Sequence, residues 1–488
     1  MKYINKVLVG LFAAGMLTGC SESFLEKEPT KDMTPEQIAD AAKKNPNVGN
    51  ALLAGVYTLT FDSGTGGTSG HTDFGQKSID ITTDMISGDM ALKSNSYNKF
   101  QEVSQMIGHL RTENRSYMLW RYYYRIVKSA NDVIDSFGGD AAIPADDQAK
   151  ELWGQAMGLR GYAYFYLANL YTNLESADMP CVPIYTANAS AGAKKSSLKE
   201  VLTQAENDLQ KSADALASFT RANRSQLNSD IANAYLAYTK LTLGVIGDNA
   251  KFAEAAAVSK TVLDTWSSKL MTKEQITESG FNSVANVEGW MWAFDITKSN
   301  TNKLVTFWSH IDIYTYGYAY IGNYKMIDEG LYASIPATDA RRAQFDANLA
   351  PTGKFYDAGR AKGGDRTWEN DIFFLRVADM LLVNAEANAR AGADAAAQAS
   401  LKVLLDERDS DNAALVAKTG QDLLNEIDKQ IRIESWGEGK SLLAMKRFKR
   451  SHTRGANHLD YPGKTYSWNS VETTIQIPDN EELNNPNL

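Results

Sequence analysis

The feature that most constrains the fold is a set of long helical patterns, several of which come in pairs. Between Asp147 and Asn173, large apolar residues recur every three or four positions, while Gly158 and Gly161 leave room for a second helix to approach. Residues 228–265 and 371–407 each predict a helical hairpin with a glycine-containing turn. Such alanine-rich hairpins stack as tetratricopeptide hairpins do, although no strict period of about 34 residues is present. The patterns predict a mainly α fold in a single large domain.

Amphipathic spacing predicts three more helices, over residues 115–137, 197–217 and 421–436. The region from about 275 to 370 differs, because it is rich in aromatic residues, Gly and Asn and contains short alternating runs such as 289–294. We expect irregular structure with short strands there. The Gly-, Ser- and Thr-rich stretch 63–71 predicts a flexible loop.

Composition excludes several function classes. Of 488 residues, 43% are hydrophobic and 22% are charged, which is typical of a globular protein. The formal net charge of −9 disfavours binding to nucleic acid. The basic run 446–450 is therefore interpreted as a solvated surface or a contact to a protein partner.

Catalytic and cofactor motifs are absent from the sequence. The five histidines form no HExxH pair and no CxxC occurs, so neither a metal nor a cofactor is predicted. A GxSxG elbow is missing, and Glu434 stands where a phosphate-binding loop would need its first glycine. We therefore expect no enzyme. A glycoside hydrolase needs only two carboxylates, so a glycan-cleaving enzyme stays open as an alternative.

The N-terminus has the features of an export signal. Lys2 and Lys6 precede the apolar run 7–17, which is too short to span a bilayer, and the run ends in the lipobox-like sequence Leu-Thr-Gly-Cys at Cys20. We expect residues 1–19 to be cleaved, Cys20 to carry lipid, 20–45 to form a tether and N-terminal segment, and 46–488 to form the folded domain. No later stretch has transmembrane length, so the lipid is the only predicted membrane anchor.

Four stretches in order give the chain a family resemblance. They read SFLEKEP at 23–29, RGYAYFYLANLY at 160–171, FLRVADMLLVNAEA at 374–387, and ESWGEGK at 434–440 followed by MKR at 445–447. The chain resembles the SusD/RagB lipoproteins of the Bacteroidetes outer membrane, and the match spans nearly all of the predicted mature protein. The resemblance implies a helical domain with tetratricopeptide-like hairpins and a less regular part that carries the ligand surface.

The resemblance also implies a function and a partner. Such a protein captures oligosaccharide outside the cell and delivers it to a SusC-like TonB-dependent transporter, over which it sits as a lid. Two alternatives remain: a transporter lid or scaffold with little glycan affinity of its own, and a relative that binds peptides. Ligand residues vary across the family, so the resemblance carries no binding residue over to this chain.

Candidate ligand residues follow from sugar chemistry, because sugars stack on aromatic rings and hydrogen-bond to polar groups. The four tyrosines at alternate positions from 314 to 320 would share one face of an extended chain, or pack as a half-buried strand. The two tryptophans at 290 and 292 also share a strand face, where burial competes with ligand contact. The candidates on these grounds are Trp308, Tyr314, Tyr316, Tyr318, Tyr320, Trp290 and Trp292. The resemblance adds Asp73, Phe74 and Tyr97, because it implies that the N-terminal part often contributes ligand residues.

Overall fold

The computed structural model describes residues 41, 46–189, 191–360, 362–364 and 368–488. The predicted leader 1–19, the lipidation site Cys20 and, apart from Ala41, the predicted tether 20–45 lie outside these residues. Within the described ranges, no helix is both long enough and apolar enough to cross a membrane.

Helices dominate the described residues, and the strands form only two-stranded antiparallel sheets, β1 with β3, β2 with β4 and β5 with β6. The helices are α1 Pro46–Phe61, α2 Gln76–Ile86, α3 Gln101–Ser104, α4 Asn114–Ser136, α5 Asp147–Leu170, α6 Leu198–Ala215, α7 Ser229–Val245, α8 Ala250–Trp266, α9 Lys273–Glu278, α10 Phe307–Ile311, α11 Glu329–Ala333, α12 Val377–Arg390, α13 Asp394–Asp406, α14 Ala413–Val416, α15 Gly420–Glu434, α16 Ser441–Arg447 and α17 Asp479–Asn484. The strands are β1 Met90–Leu92, β2 Trp290–Phe294, β3 Lys325–Ile327, β4 Ile372–Arg376, β5 His452–Thr453 and β6 Thr465–Tyr466.

The central helix α5 is buried along most of its length and packs between α4 and α6. Its small residues allow the close approach that the sequence predicted. A Cβ at Gly158 would lie 2.6 Å from the Ser212 hydroxyl, and one at Gly161 would lie 2.7 Å from Leu209. Larger residues at these positions would push α6 away, so the prediction of a close helix contact is confirmed.

Local capping sets the start of several predicted helices. The Ser197 hydroxyl accepts a hydrogen bond from the amide of Glu200, whose carboxylate accepts from the Ser197 amide in return. The Asn228 side chain accepts from the Ile231 amide at 3.2 Å and begins α7. The hairpins α7–α8 and α12–α13 are confirmed, whereas their likeness to tetratricopeptide repeats stays a prediction.

One predicted boundary is wrong. The helix expected from residue 371 starts at Val377, because residues 372–376 form β4 and pair with β2. This segment, Ile-Phe-Phe-Leu-Arg, is buried on both faces, and five consecutive buried residues suit a short internal strand. The Arg376 amide then donates to the Asp379 carboxylate at 2.7 Å and starts α12.

A buried network of ion pairs joins β4 to the ends of α13 and α15. The Glu434 carboxylate binds Arg376 at 3.0 Å, Arg408 at 2.9 Å and Arg341 at 3.2 Å. Burial alone would raise the pKa of Glu434, but these arginines lower it well below its ordinary value. The motif at 434–440 therefore contributes to the core of the fold.

Only part of the basic run 446–450 is the solvated surface that the sequence suggested, because Lys449 is exposed but Lys446 and Arg447 are not. Lys446 is buried and donates to the carbonyls of Asn169 at 2.6 Å and Thr172 at 2.8 Å. Arg447 is also buried, and its guanidinium binds the Glu386 carboxylate at 2.8 Å. These two side chains hold α16 against α5 and α12, so they are unavailable to an external partner.

Candidate functional site

The tyrosine-rich segment after α10 is folded into turns, which corrects the expectation of an extended strand. The Asp312 carboxylate accepts from the Tyr314 amide at 2.8 Å and from the Thr315 hydroxyl at 2.5 Å, and these bonds bend the chain. Further on, the Asn323 amide donates to the Tyr318 carbonyl at 3.0 Å. The four tyrosines therefore do not share one strand face.

Three of these tyrosines nevertheless lie on one segment that contacts a ring from the N-terminal part. We call Tyr97, Tyr314, Tyr316 and Tyr318 the tyrosine patch. Tyr97 is 57% exposed, Tyr314 38%, Tyr316 41% and Tyr318 9%. The Tyr97 ring lies edge-on to Tyr318, with 5.8 Å between the centroids. Burial raises the pKa of Tyr318, and the nearby Tyr97 and Tyr316 add to that rise. Two distant segments thus place rings in contact, and Tyr97 is the exposed ring of that pair.

A stack of rings supports the tyrosine patch from below. Tyr318 stacks on His310 with centroids 4.9 Å apart, and His310 stacks on Phe74 at 5.2 Å. The Tyr318 hydroxyl contacts His71 Nδ1 at 2.5 Å, and the His71 carbonyl lies 2.8 Å from His310 Nε2. Burial lowers the pKa of His310 well below its ordinary value, so its ring is neutral. Phe74 therefore lies at the buried base of the stack and positions the rings above it.

Asp73 shapes a loop and does not face solvent. Its carboxylate accepts from the Gly66 amide at 2.8 Å and from the Thr68 amide at 3.0 Å and hydroxyl at 2.9 Å. These bonds hold the Gly-rich loop 63–71, which the sequence predicted only as flexible. This loop carries His71, which contacts the Tyr318 hydroxyl. Asp73 therefore helps to position the tyrosine patch through the loop that it holds.

Two cationic side chains border the patch, and neither was predicted from the sequence. Lys99 Nζ lies 4.9 Å from the centroid of the Tyr318 ring. The Arg360 guanidinium lies 5.5 Å from the Tyr314 ring and 3.8 Å from the Tyr356 ring. Lys99 could have been considered because it follows Tyr97 closely, but no local pattern distinguishes Arg360. The surface thus combines exposed rings with nearby hydrogen-bond donors.

Trp308 and Tyr320 occupy other positions. Trp308 is buried, and its indole donates to the Asp371 carbonyl at 3.2 Å. It lines a small pocket whose other walls include Phe307 and Trp368. Tyr320 is half-buried. Its hydroxyl packs against Gly363, where a Cβ atom would lie 2.5 Å from the hydroxyl oxygen. Neither ring belongs to the tyrosine patch.

Trp290 and Trp292 are core residues, so the structure gives neither ring a face for an external ligand. Both are fully buried on β2. The Trp290 ring lies 4.6 Å from Phe373, and the Trp292 ring lies 5.3 Å from Tyr162. The Trp292 indole donates to the Ser225 carbonyl at 2.8 Å. Of the two interpretations of this strand, the structure favours packing.

Comparison with protein families covers both halves of the chain. Residues 23–241 match a family model described as starch-binding associating with outer membrane, and residues 277–487 match the model of the SusD family. The chain belongs to the SusD/RagB family. The resemblance stated from four sequence motifs is thereby confirmed. None of the curated proteins compared with this SusD/RagB chain matches it.

Solved structures share the fold of this SusD/RagB protein. A SusD-like carbohydrate binding protein from Bacteroides vulgatus is 24% identical, with a TM-score of 0.76 over 91% of this chain and 97% of its own. Surface glycan-binding protein A from Bacteroides thetaiotaomicron, in complex with laminarihexaose, is 16% identical, with a TM-score of 0.64 over 89% and 97%. Its namesake from Bacteroides uniformis is 17% identical, with a TM-score of 0.67 over 91% and 99%. The helical fold is therefore that of SusD proteins, as predicted.

Proposed function

We propose that this protein is a lipid-anchored glycan-binding protein of the outer cell surface, which passes bound oligosaccharide to a SusC-like TonB-dependent transporter. The observation that carries the proposal is the tyrosine patch. Three of its rings are more than a third exposed, and they come from two segments far apart in the chain.

The chemistry of the patch suits a sugar chain. Exposed ring faces stack on the C–H faces of sugars, and the polar tips of tyrosines hydrogen-bond to hydroxyls. Lys99 and Arg360 lie within 6 Å of patch rings and can donate to sugar hydroxyls or carboxylates. The stack under Tyr318 fixes one ring in advance, which lowers the entropy lost on binding.

We propose binding without catalysis. A glycosidase needs two carboxyl groups flanking the scissile bond. Asp312, which follows α10 next to the patch, is buried and accepts the hydrogen bonds that bend the Tyr314 segment. Its part is therefore structural. A reducing-end assay on incubated polysaccharide checks this point, and we expect no release of sugar ends.

Family membership supports the remaining elements of the proposal. The matched family description refers to starch binding and to association with the outer membrane. A protein of the same fold is known in complex with laminarihexaose. The anchor is assigned to Cys20 from the lipobox, with the protein facing the cell exterior, and the transporter is assigned from the family.

A ligand screen tests the proposal. The chain without residues 1–20 is run against polysaccharides and oligopeptides by affinity electrophoresis, and positive ligands are measured by calorimetry. For a bound glycan we expect Tyr97→Ala and Tyr316→Ala each to weaken binding about fivefold or more, since an aromatic contact contributes on the order of 1 kcal/mol. Tyr461→Ala is the control, because Tyr461 is 49% exposed and outside the patch.

The outcomes separate the alternatives. Glycan binding that the patch variants weaken supports the proposal, whereas binding that they leave unchanged contradicts the site. Binding of peptides alone would favour a peptide-binding relative. Failure to bind any ligand would favour a transporter lid or scaffold.

A further inference from the structure

Three metal-binding side chains converge away from the tyrosine patch. Asp328 precedes α11, His452 lies on β5 and His458 follows six residues later. One donor atom from each lies within 4.8 Å of the others, and all three residues are buried. The Asp328 Oδ2 atom is 3.2 Å from His458 Nε2 and 4.0 Å from His452 Nε2.

One of the three donors has no hydrogen-bond partner among the described residues. His452 is 6% exposed, and its Nε2 atom makes no hydrogen bond within the described part of the chain. A buried polar atom left without a partner costs about 1–3 kcal/mol, so such an atom calls for an explanation. The ring packs against Gly88, where a Cβ atom would lie 2.1 Å from this nitrogen.

The donor set and spacing suit one class of ion. Two imidazole nitrogens and one carboxylate oxygen are typical zinc ligands, whereas calcium and magnesium prefer oxygen alone. Two ligands bound about 2.1 Å from zinc in a tetrahedral arrangement lie about 3.4 Å apart. The observed separations of 3.2 and 4.0 Å lie on either side of this value.

Charges around the cluster do not oppose a cation strongly. Arg432, Arg450 and Arg454 are the nearby positive groups. The first two are each paired with an acid, and the buried Arg454 donates to the carbonyls of Ser104 and Asp460. Arg432 binds Asp89 at 2.6 Å, and Arg450 binds Asp428 at 2.8 Å. Asp328 leaves the cluster itself with one negative charge.

We propose that Asp328, His452 and His458 bind a zinc ion. Both imidazoles would coordinate through Nε2 and keep their proton on Nδ1, so the His458 contact to Asp328 would be replaced by bonds to the metal. Three protein ligands leave a fourth position for water. The proposal does not depend on glycan binding, and it departs from the sequence prediction of no metal, which considered only donors close together in sequence.

The ion would join the C-terminal segment to the sheet below the tyrosine patch. Segment 452–458 already contacts this region, since the Gly455 amide donates to Asp328 at 2.8 Å. Asp328 directly follows β3, whose residue Ile327 pairs with Met90 on β1. The same pairing continues through Lys93 and Tyr324 toward the loop that carries Tyr97. Zinc would therefore stabilise the C-terminal segment and the base of that loop.

Titration of the full chain, freed of metal and carrying no histidine tag, tests the site. We expect one equivalent of Zn²⁺ to bind by calorimetry and to raise the melting temperature, with EDTA reversing the rise. His452→Gln and His458→Gln should each weaken binding at least tenfold. His109→Gln is the matched control, because His109 is also buried but lies outside the cluster.

Wild-type protein that binds no stoichiometric zinc would overturn the proposal, as would His452→Gln protein that binds zinc as tightly as the wild type. If the variants do not fold, Co²⁺ titration of the wild-type chain decides. The visible absorption of four- or five-coordinate cobalt supports the site, and the spectrum of the hydrated ion contradicts it.

Discussion

Arg376 binds both carboxylate oxygens of Glu438, with its Nε 2.9 Å from Oε2 and its Nη2 2.8 Å from Oε1. The same guanidinium binds Glu434. Arg376 ends β4, Glu434 ends α15 and Glu438 lies in the turn after α15. This side chain therefore joins the irregular part of the protein to the helices.

We expect Arg376→Met to lower the free energy of unfolding by about 3 kcal/mol or more, because it leaves buried carboxylates without their partner. Urea denaturation monitored by circular dichroism measures the loss. Arg111→Met is the control, since the Arg111 pair with Glu482 is largely exposed and should contribute about 1 kcal/mol or less. Equal losses in the two variants would contradict a structural role for the network.

Asp84 should make stability depend on pH. Burial, with Asp80 and Asp89 nearby, raises the pKa of this carboxyl from 3.8 to about 8. The folded state therefore holds a proton that the unfolded state releases, and stability should fall as the pH rises from about 4 to 8. Asp84→Asn removes the charge and keeps an oxygen that can accept from the Gly437 amide.

The variant should gain stability relative to wild type between pH 5 and pH 9, by about 1 kcal/mol or more. Urea midpoints at the two pH values measure the change. Asp264→Asn is the control substitution, because the Asp264 side chain is 65% exposed. A difference between variant and wild type that does not change with pH would show that Asp84 ionises normally.

Trp292 and Tyr316 should separate stability from binding. Trp292→Phe loses the hydrogen bond to Ser225 and leaves a void, so we expect a loss of about 1–3 kcal/mol in stability with unchanged glycan affinity. Tyr316→Ala should instead weaken glycan binding and leave stability unchanged. Thermal melts and calorimetry on the same preparations check both. Weakened binding by folded Trp292→Phe protein would point to a site near β2.

Cys20 should determine where the protein resides. We expect Cys20→Ser to abolish labelling with an alkyne fatty acid and to release the protein from the outer membrane. Cys181→Ser is the control, since Cys181 is a buried free thiol. Protease treatment of intact cells should degrade the wild-type protein if it faces the exterior. Fatty-acid labelling that persists without Cys20 would contradict the lipobox assignment.

The helical part of the fold could be predicted because its signals are local. Apolar spacing and caps such as Ser197 and Asn228 lie within a few residues of the helices that they define. The boundary at residue 377 was missed because β4 is recognisable only through its pairing with β2. A run of four apolar residues followed by an arginine does not by itself distinguish a strand from a helical turn.

The candidate site could be predicted only in part. The aromatic cluster at 308–324 identified Tyr316, and the family resemblance pointed to Tyr97. The stack of Tyr318 on His310 and Phe74 depends on contacts between distant segments. The cluster of two histidines and an aspartate was not predicted for the same reason. Its members Asp328 and His452 are separated by most of the C-terminal third of the sequence. Spacing rules detect metal ligands only when they lie on one helix or loop.

The pairing of β1 with β3 brings together the two parts of the chain that the separate family models recognise. Tyr97 comes from the first part, and Tyr316 and Tyr318 come from the second. A gene fragment that encodes either part alone would still be assigned to the family, yet its product would lack the contact between Tyr97 and Tyr318. Inventories of such genes in bacterial genomes should therefore count a binding protein only where both parts are encoded in one reading frame.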